Sequence, residues 1–168
     1  PSVWTNTPDI LMPYLQQGGP AAFRVRLVLA ATLAASYGVY GPAFELCENK
    51  PREPGNEEYL NSEKYELKRW EIQRPDSLKD LITRVNRIRR ENPALQRDEG
   101  LEFHFAGNDQ LLCYSKREPN GKNLLLMVVN LDPRRKQAGT LELRLEALGL
   151  DPSRPFAAED LLSGISFT

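Results

Sequence analysis

Apolar positions along the chain change their spacing near residue 95. Upstream they recur as a helix requires. In "GGPAAFRVRLVLAATLAAS" (residues 18–36), Pro20 stands where a first helical turn needs no N–H. Phe23, Val25, Leu27, Val28, Leu29 and Leu33 surround that helix on most sides, the mark of a buried helix. It runs into "SYGVYG" (residues 36–41), an aromatic and β-branched run with glycines, which predicts a short buried strand and an α/β layer. A polar loop with two prolines and a glycine fills residues 48–58, followed by "EEYLNSEKYELKRWE", of mixed periodicity. Residues 77–91 read as an amphipathic helix: Leu78, Leu81, Ile82, Val85 and Ile88 share one face, and Asp76 and Ser77 are placed to cap its start. Arg87, Arg89 and Arg90 in its last turns read as solvated cations favoured by the helix dipole.

From residue 100 the spacing becomes strand-like. "LEFHF", "QLLCYSKR", "NLLLMVVNL" and "TLELRL" are separated by the turn signals "GND", "EPNGK" and "DPRRKQAG", with a hairpin expected around Asn120-Gly121. Four such strands predict a small antiparallel sheet or sandwich, and the tail "EDLLSGISFT" is strand-like again. At the other end, "WTNTPDIL" (residues 4–11) reads as a site loop with no strand ahead of it, and the chain opens on Pro1 rather than on methionine. Both ends are therefore expected to be cut. No internal repeat or low-complexity segment is present.

Composition narrows the class. The 168 residues suffice for one core or for pieces of two; 40% are apolar and 27% charged, as in a soluble globular protein. A formal net charge of −1 attracts neither nucleic acid nor an anionic membrane surface. The longest apolar stretch, residues 25–41, is broken by Arg26, Gly38 and Gly41, so no membrane span is expected, and "PSVWTNTPD" lacks the basic and apolar regions expected of a signal peptide. The two cysteines, Cys47 and Cys113, are too few for a disulfide scaffold and are expected as reduced, partly buried thiols of a cytoplasmic protein. The single histidine, His104, excludes a His-rich metal site and is read as a structural strand residue.

Three stretches could carry chemistry. Asp9 follows Pro8 in a loop with Asn6 and Thr7; it is either the N-cap of "ILMPYLQQ" or a carboxylate that stabilises charge in glycosyl transfer. Lys64 and Tyr65 set an ammonium beside a phenol, which suits a cluster of sugar hydroxyls and equally suits a surface helix. In "YGVYGPAFELCEN", Gly38 and Gly41 allow a strand end to meet a loop closely, while Glu45 and Glu48 read as loop and packing residues. The phosphate-binding patterns GxxxxGK[ST] and GxGxxG are absent.

Taken in order, "WTNTPDIL", "GGPAAFRVRLVLAATLAASYGVYGPAFELCEN", "EEYLNSEKYELKRW" and "ITRVNRIRRENPALQ" closely resemble one family. It is that of the α-1,4-glucan:maltose-1-phosphate maltosyltransferases, within glycoside hydrolase family 13, the α-amylase superfamily. The likeness is dense over residues 1–97 and looser beyond. It implies an α+β chain: the C-terminal part of a catalytic (β/α)8 barrel over residues 1–97, then an incomplete antiparallel β-sandwich over residues 98–168. "WTNTPD" would be the loop after barrel strand seven and "SYGVYG" strand eight, with the helices from Pro20 and at 77–91 as barrel helices seven and eight.

In that frame Asp9 is the last of three catalytic carboxylates, the transition-state stabiliser, and Lys64 and Tyr65 hold the donor sugar. Pro8 stands where amylases carry histidine, which argues against the neighbouring alternatives, an amylase or a trehalose synthase. The resemblance implies transfer of maltosyl units from α-maltose 1-phosphate to the non-reducing end of an α-1,4-glucan, in glycogen synthesis, with retention and without metal or organic cofactor. The nucleophile and the acid/base belong to earlier barrel strands, so this chain alone is expected to be inactive. A non-catalytic sugar-binding or structural domain is the alternative from another class, for which the strand region offers chiefly Phe103, Phe105 and Tyr114. Without a barrel, Leu27, Val28 and Leu29 are expected to form an exposed apolar patch and to support a homodimer.

Overall fold

The computed structural model describes residues 2–167. Strand β1 (Ser2–Trp4), helix α1 (Pro13–Leu33) and strand β2 (Ser36–Gly38) succeed one another, and β2 lies parallel to β1 with Trp4 opposite Gly38. The opening loop therefore does have a strand ahead of it, contrary to expectation. Three residues are too few to show an alternating pattern, and β1 is defined by its pairing with β2. Gly38 is required there, because a Cβ would come within 2.5 Å of the Trp4 ring.

Helix α1 starts earlier than its apolar pattern, at Pro13. It breaks at Gly19, where φ is +59° and ψ is −162°, and Pro20 opens the second segment at a position that needs no N–H. Met12 occupies the N-cap position and no side chain caps the helix, so Asp9 is not its cap. Helix α2 (Gly41–Glu45) follows β2, and residues 57–71 form turns and irregular backbone rather than a surface helix. Helix α3 (Lys79–Glu91) then leads into a 3-10 helix (Pro93–Gln96). Ser77 accepts a hydrogen bond from the Lys79 N–H at 3.1 Å and donates to the Glu45 carboxylate at 2.9 Å, while Asp76 is paired with Arg74 instead.

The arginines near the end of α3 divide. Arg87 and Arg90 are exposed, as expected. Arg89 is not a solvated cation: its guanidinium turns inward and donates to the carbonyls of Ala31, Ala34 and Ala35 at the end of α1 and to that of Leu95 in the 3-10 helix. It also lies over the Tyr37 ring, 5.0 Å from its centroid. Helix C-terminal carbonyls lack intrahelical donors, and a fork of N–H groups carrying positive charge satisfies several at once.

Strands β3 (Leu101–Ala106), β4 (Leu111–Arg117), β5 (Leu124–Asn130) and β6 (Leu141–Glu142) form an antiparallel sheet in the order β5-β4-β3-β6. The β4–β5 hairpin turns at Asn120-Gly121 as expected, with Gly121 at φ +74°. Strands β7 (Ala158–Asp160) and β8 (Ile165–Phe167) make a separate hairpin. His104 is a strand residue, its Nε2 2.8 Å from Ser115 Oγ. Both cysteines are free thiols, and burial pushes Cys47 up to about 11. Among the described residues no helix is long and apolar enough to cross a membrane, and no group of three or more His, Cys, Asp or Glu side chains could hold a metal ion.

Two apolar clusters result. The first joins Leu11, Leu15, Phe23, Leu27, Phe44, Tyr59 and Val85, with the Phe23 and Phe44 rings 5.1 Å apart. The second joins Leu95, Tyr114, Met127 and Val129 with Val25, Val28, Leu29 and Leu33 of α1 and Ile88 of α3. Leu27 is thus fully buried, and Val28 and Leu29 pack on the sheet. The exposed patch expected of these three residues does not exist, and a homodimer has no support from it. Thr32 gives its proton to the Val28 carbonyl at 2.7 Å, so the Tyr114 hydroxyl donates to Thr32 Oγ1 across 2.6 Å.

Lys116 sits on the core face of β4 between Leu101 and Leu125, fully buried, with its ammonium on the Arg97 carbonyl. Burial pushes its pKa below the ordinary 10.5. A lysine with a lower pKa folded than unfolded favours the fold above the unfolded value, and this support is lost as pH falls through the folded value. The wild-type chain should therefore gain stability as pH rises toward 10.5, and Lys116→Met, which cannot titrate there, should lack that gain. Urea titrations of both chains at rising pH check this. Arg89→Ala, which strands four carbonyl contacts, should cost about 3 kcal/mol in the same assay, and Arg89→Lys should recover only part of it.

Candidate active site

The site is built where the two parallel strands end. Beyond β1 the chain makes a tight turn over residues 7–10. The Ile10 N–H donates to the Thr7 carbonyl at 3.2 Å, which places Pro8 and Asp9 at its centre. Proline's fixed φ suits the first central position of such a turn, so Pro8 has a structural use where it stands. Leu11 anchors the far side of the turn: it is fully buried, and its N–H donates to the Glu57 carbonyl at 2.6 Å. Asp9 is thereby held at the tip with its side chain 59% exposed.

Asn6 fixes the near side of the turn. It is buried, and its Nδ2 donates to the Tyr59 hydroxyl at 2.7 Å. Its Oδ1 accepts from Thr5 Oγ1 at 2.9 Å and from the Tyr40 N–H at 3.0 Å. One side chain thus joins the loop after β1 to the segment after β2 and to Tyr59. Burial raises the Tyr59 phenol to about 12, so it stays neutral and can accept from Asn6.

Lys64 and Asp9, far apart in sequence, meet: Nζ donates to Oδ1 at 2.9 Å. This bond, before all else, raises the lysine's pKa above 10.5, so Lys64 is an ammonium at physiological pH. Tyr65 stands beside it, its ring centroid 5.4 Å from Nζ and its side chain exposed. All three residues singled out in the sequence are therefore brought together on one turn-rich surface. Glu45 and Glu48 do not join them; Glu45 serves as partner to Ser77 and Leu78.

The sequence reading missed the scaffold beneath them. Tyr40 donates its hydroxyl to Glu63 Oε2 at 2.7 Å, and Trp70 donates Nε1–H to Glu63 Oε1 at 2.9 Å. These two hydrogen bonds hold the Glu63 carboxyl below the usual carboxylate range. Burial, with Glu63 beside it, raises the Tyr40 phenol well above 10.0. No spacing rule links Asn6, Tyr40, Tyr59 and Glu63; the only available signal was their nearness to the recognised stretches "TNTPD", "YGVYG" and "SEKYE".

The arrangement can grip a diol. A carboxylate accepts from a hydroxyl, and an adjacent ammonium donates to the same oxygen or to its neighbour. The exposed Asp9–Lys64 pair therefore offers complementary partners to vicinal sugar hydroxyls.

The chain is similar to known proteins along its whole length. Residues 103–168 match the family model described as GLGE, C-terminal. The chain is 49% identical over 168 residues to a protein of Methylacidiphilum infernorum, across all of this chain and 25% of that protein. It is 49% identical over 173 residues to one of Chlorobaculum tepidum, covering 99% of this chain and 26% of that protein. It is 51% identical over 161 residues to one of Rhodospirillum rubrum, covering 96% of this chain and 23% of that protein. Each is named an α-1,4-glucan:maltose-1-phosphate maltosyltransferase. The chain thus spans about a quarter of the length of the curated relatives it matches. The ordered motifs, the end-to-end identity and the match of residues 103–168 together show that this chain resembles a C-terminal piece of the α-1,4-glucan:maltose-1-phosphate maltosyltransferases.

Proposed function

We propose that this chain supplies one wall of the donor site of a retaining maltosyltransferase. The enzyme would move maltosyl units from α-maltose 1-phosphate to the non-reducing end of an α-1,4-glucan, in cytoplasmic glycogen synthesis. In this reading β1, α1, β2 and α3 are the last two βα units of a (β/α)8 barrel, and the strands from β3 onward begin a β-sandwich. The nucleophile and the acid/base come from barrel strands outside this chain.

The observation that carries the reading is the Asp9–Lys64 bond at the carboxyl ends of parallel strands, where barrel enzymes keep their chemistry. Glycosyl transfer passes through an oxocarbenium-like transition state, with positive charge spreading over the ring. Asp9, fixed at a turn tip, would bind hydroxyls of that ring and oppose the charge. Lys64 would donate to the same hydroxyls, and the exposed Tyr65 ring would pack against the sugar's apolar face. Hydrogen bonds that strengthen as charge develops lower the barrier more than they tighten the ground state.

Three outcomes test this. The isolated 168-residue chain should release no phosphate from maltose 1-phosphate in the presence of glucan, and turnover would overturn the proposed division of labour. In the complete enzyme, Asp9→Asn should lower kcat by about 10³ with little change in KM, because it acts mainly in the transition state. Lys64→Ala should raise KM for the donor about tenfold and lower kcat less, as loss of a ground-state contact does.

A further inference from the structure

We infer that Glu63 is the positioning residue of this site: it tethers the turn carrying Lys64 and Tyr65 to the strand-end segment at Tyr40, and so sets where those two side chains stand over Asp9. The inference rests on the donor-site reading above. It begins from how the turn at residues 61–66 is held. Internally, Ser62 organises it: its carbonyl accepts from the N–H groups of Tyr65 at 2.9 Å and Glu66 at 3.1 Å, and the side chain is buried. Externally, two side-chain bonds fasten it to the strand-end segments, Lys64 to Asp9 and Glu63 to Tyr40.

These two fastenings are not equivalent once a sugar enters. A diol between Asp9 and Lys64 takes over the partners those groups now give each other, so the first fastening is replaced by contacts to substrate. The second then holds the turn in place. Glu63 is suited to this because both its oxygens are committed, one to Tyr40 at 2.7 Å and one to Trp70 at 2.9 Å. Trp70 keeps the carboxylate from swinging away, and the Lys68 ammonium 4.7 Å from the Trp70 ring lies close enough to favour its ionised form. The circuit closes through the backbone, since the Tyr40 N–H donates to Asn6, which fixes the loop of Asp9.

These contacts are exposed, so their loss should move the turn without unfolding the protein. In the complete enzyme, Glu63→Ala should raise KM for maltose 1-phosphate about tenfold, with kcat within about threefold of wild type. Glu63→Gln should return KM to within about threefold of wild type, because its carbonyl can accept from Trp70 and its amide can donate to the Tyr40 oxygen. Tyr40→Phe should raise KM, and adding Glu63→Ala should then cost less than it does alone. An unchanged KM in Glu63→Ala would overturn the inference. So would a loss confined to kcat, or a Glu63→Gln enzyme as impaired as the alanine variant, which would mean that the charge acts on the substrate itself. Amide hydrogen exchange without substrate separates this from the function reading. Exchange at residues 64–66 should quicken in Glu63→Ala and stay near wild type in Glu63→Gln; equal exchange in all three overturns the tether. If wild type releases no phosphate from maltose 1-phosphate but exchange responds as stated, the tether stands and the donor assignment fails.

Discussion

The guanidinium of Arg89 on the last carbonyls of α1 is the contact around which the rest is arranged. A helix end presents several acceptors without donors, and leaving them dry would be costly. Arg89 meets that demand from a neighbouring helix, so α3 can pack beside α1 only in one register. Its further contacts with Leu95 and with the Tyr37 ring fix the 3-10 helix and strand β2 from the same atom group. Since β2 ends at Gly38, two residues before Tyr40, the same guanidinium braces the strand that leads into the site's scaffold.

The second organising feature is that α1 serves two cores. Leu27 and Phe23 face the cluster under the site, while Val25, Val28 and Leu29 face the sheet. This explains why the helix is apolar nearly all round without spanning a membrane. The Tyr114–Thr32 hydrogen bond sits inside that contact and gives it a direction, since an apolar interface alone would tolerate rotation of the helix against the sheet.

Much of this was legible before any coordinates. The apolar face of α3, the buried character of α1 and the Asn120-Gly121 hairpin follow from period and turn chemistry, which are local properties. What was not legible is non-local. Strand β1 exists because β2 pairs with it, and the six residues of "TLELRL" yield only Leu141–Glu142 as strand because pairing with β3 reaches no further. Arg89 looked like its neighbours Arg87 and Arg90 because sequence shows a charge but not the carbonyls it will meet. At the site, Asp9, Lys64 and Tyr65 were found through resemblance to a family. Asn6, Tyr40, Tyr59 and Glu63 act through geometry that no motif encodes.

The shared second core has a bearing on how this family should be dissected. The stretch that matches the C-terminal family model begins at residue 103, yet the apolar surface that seals its sheet belongs to α1 and α3, which lie before that point. Excising the matched stretch would leave Tyr114, Met127 and Val129 facing water and deprive Val28 and Leu29 of their cover. The stretch matched by that family model is therefore smaller than the unit that buries this core. Boundaries drawn for expression or grafting would have to follow the latter.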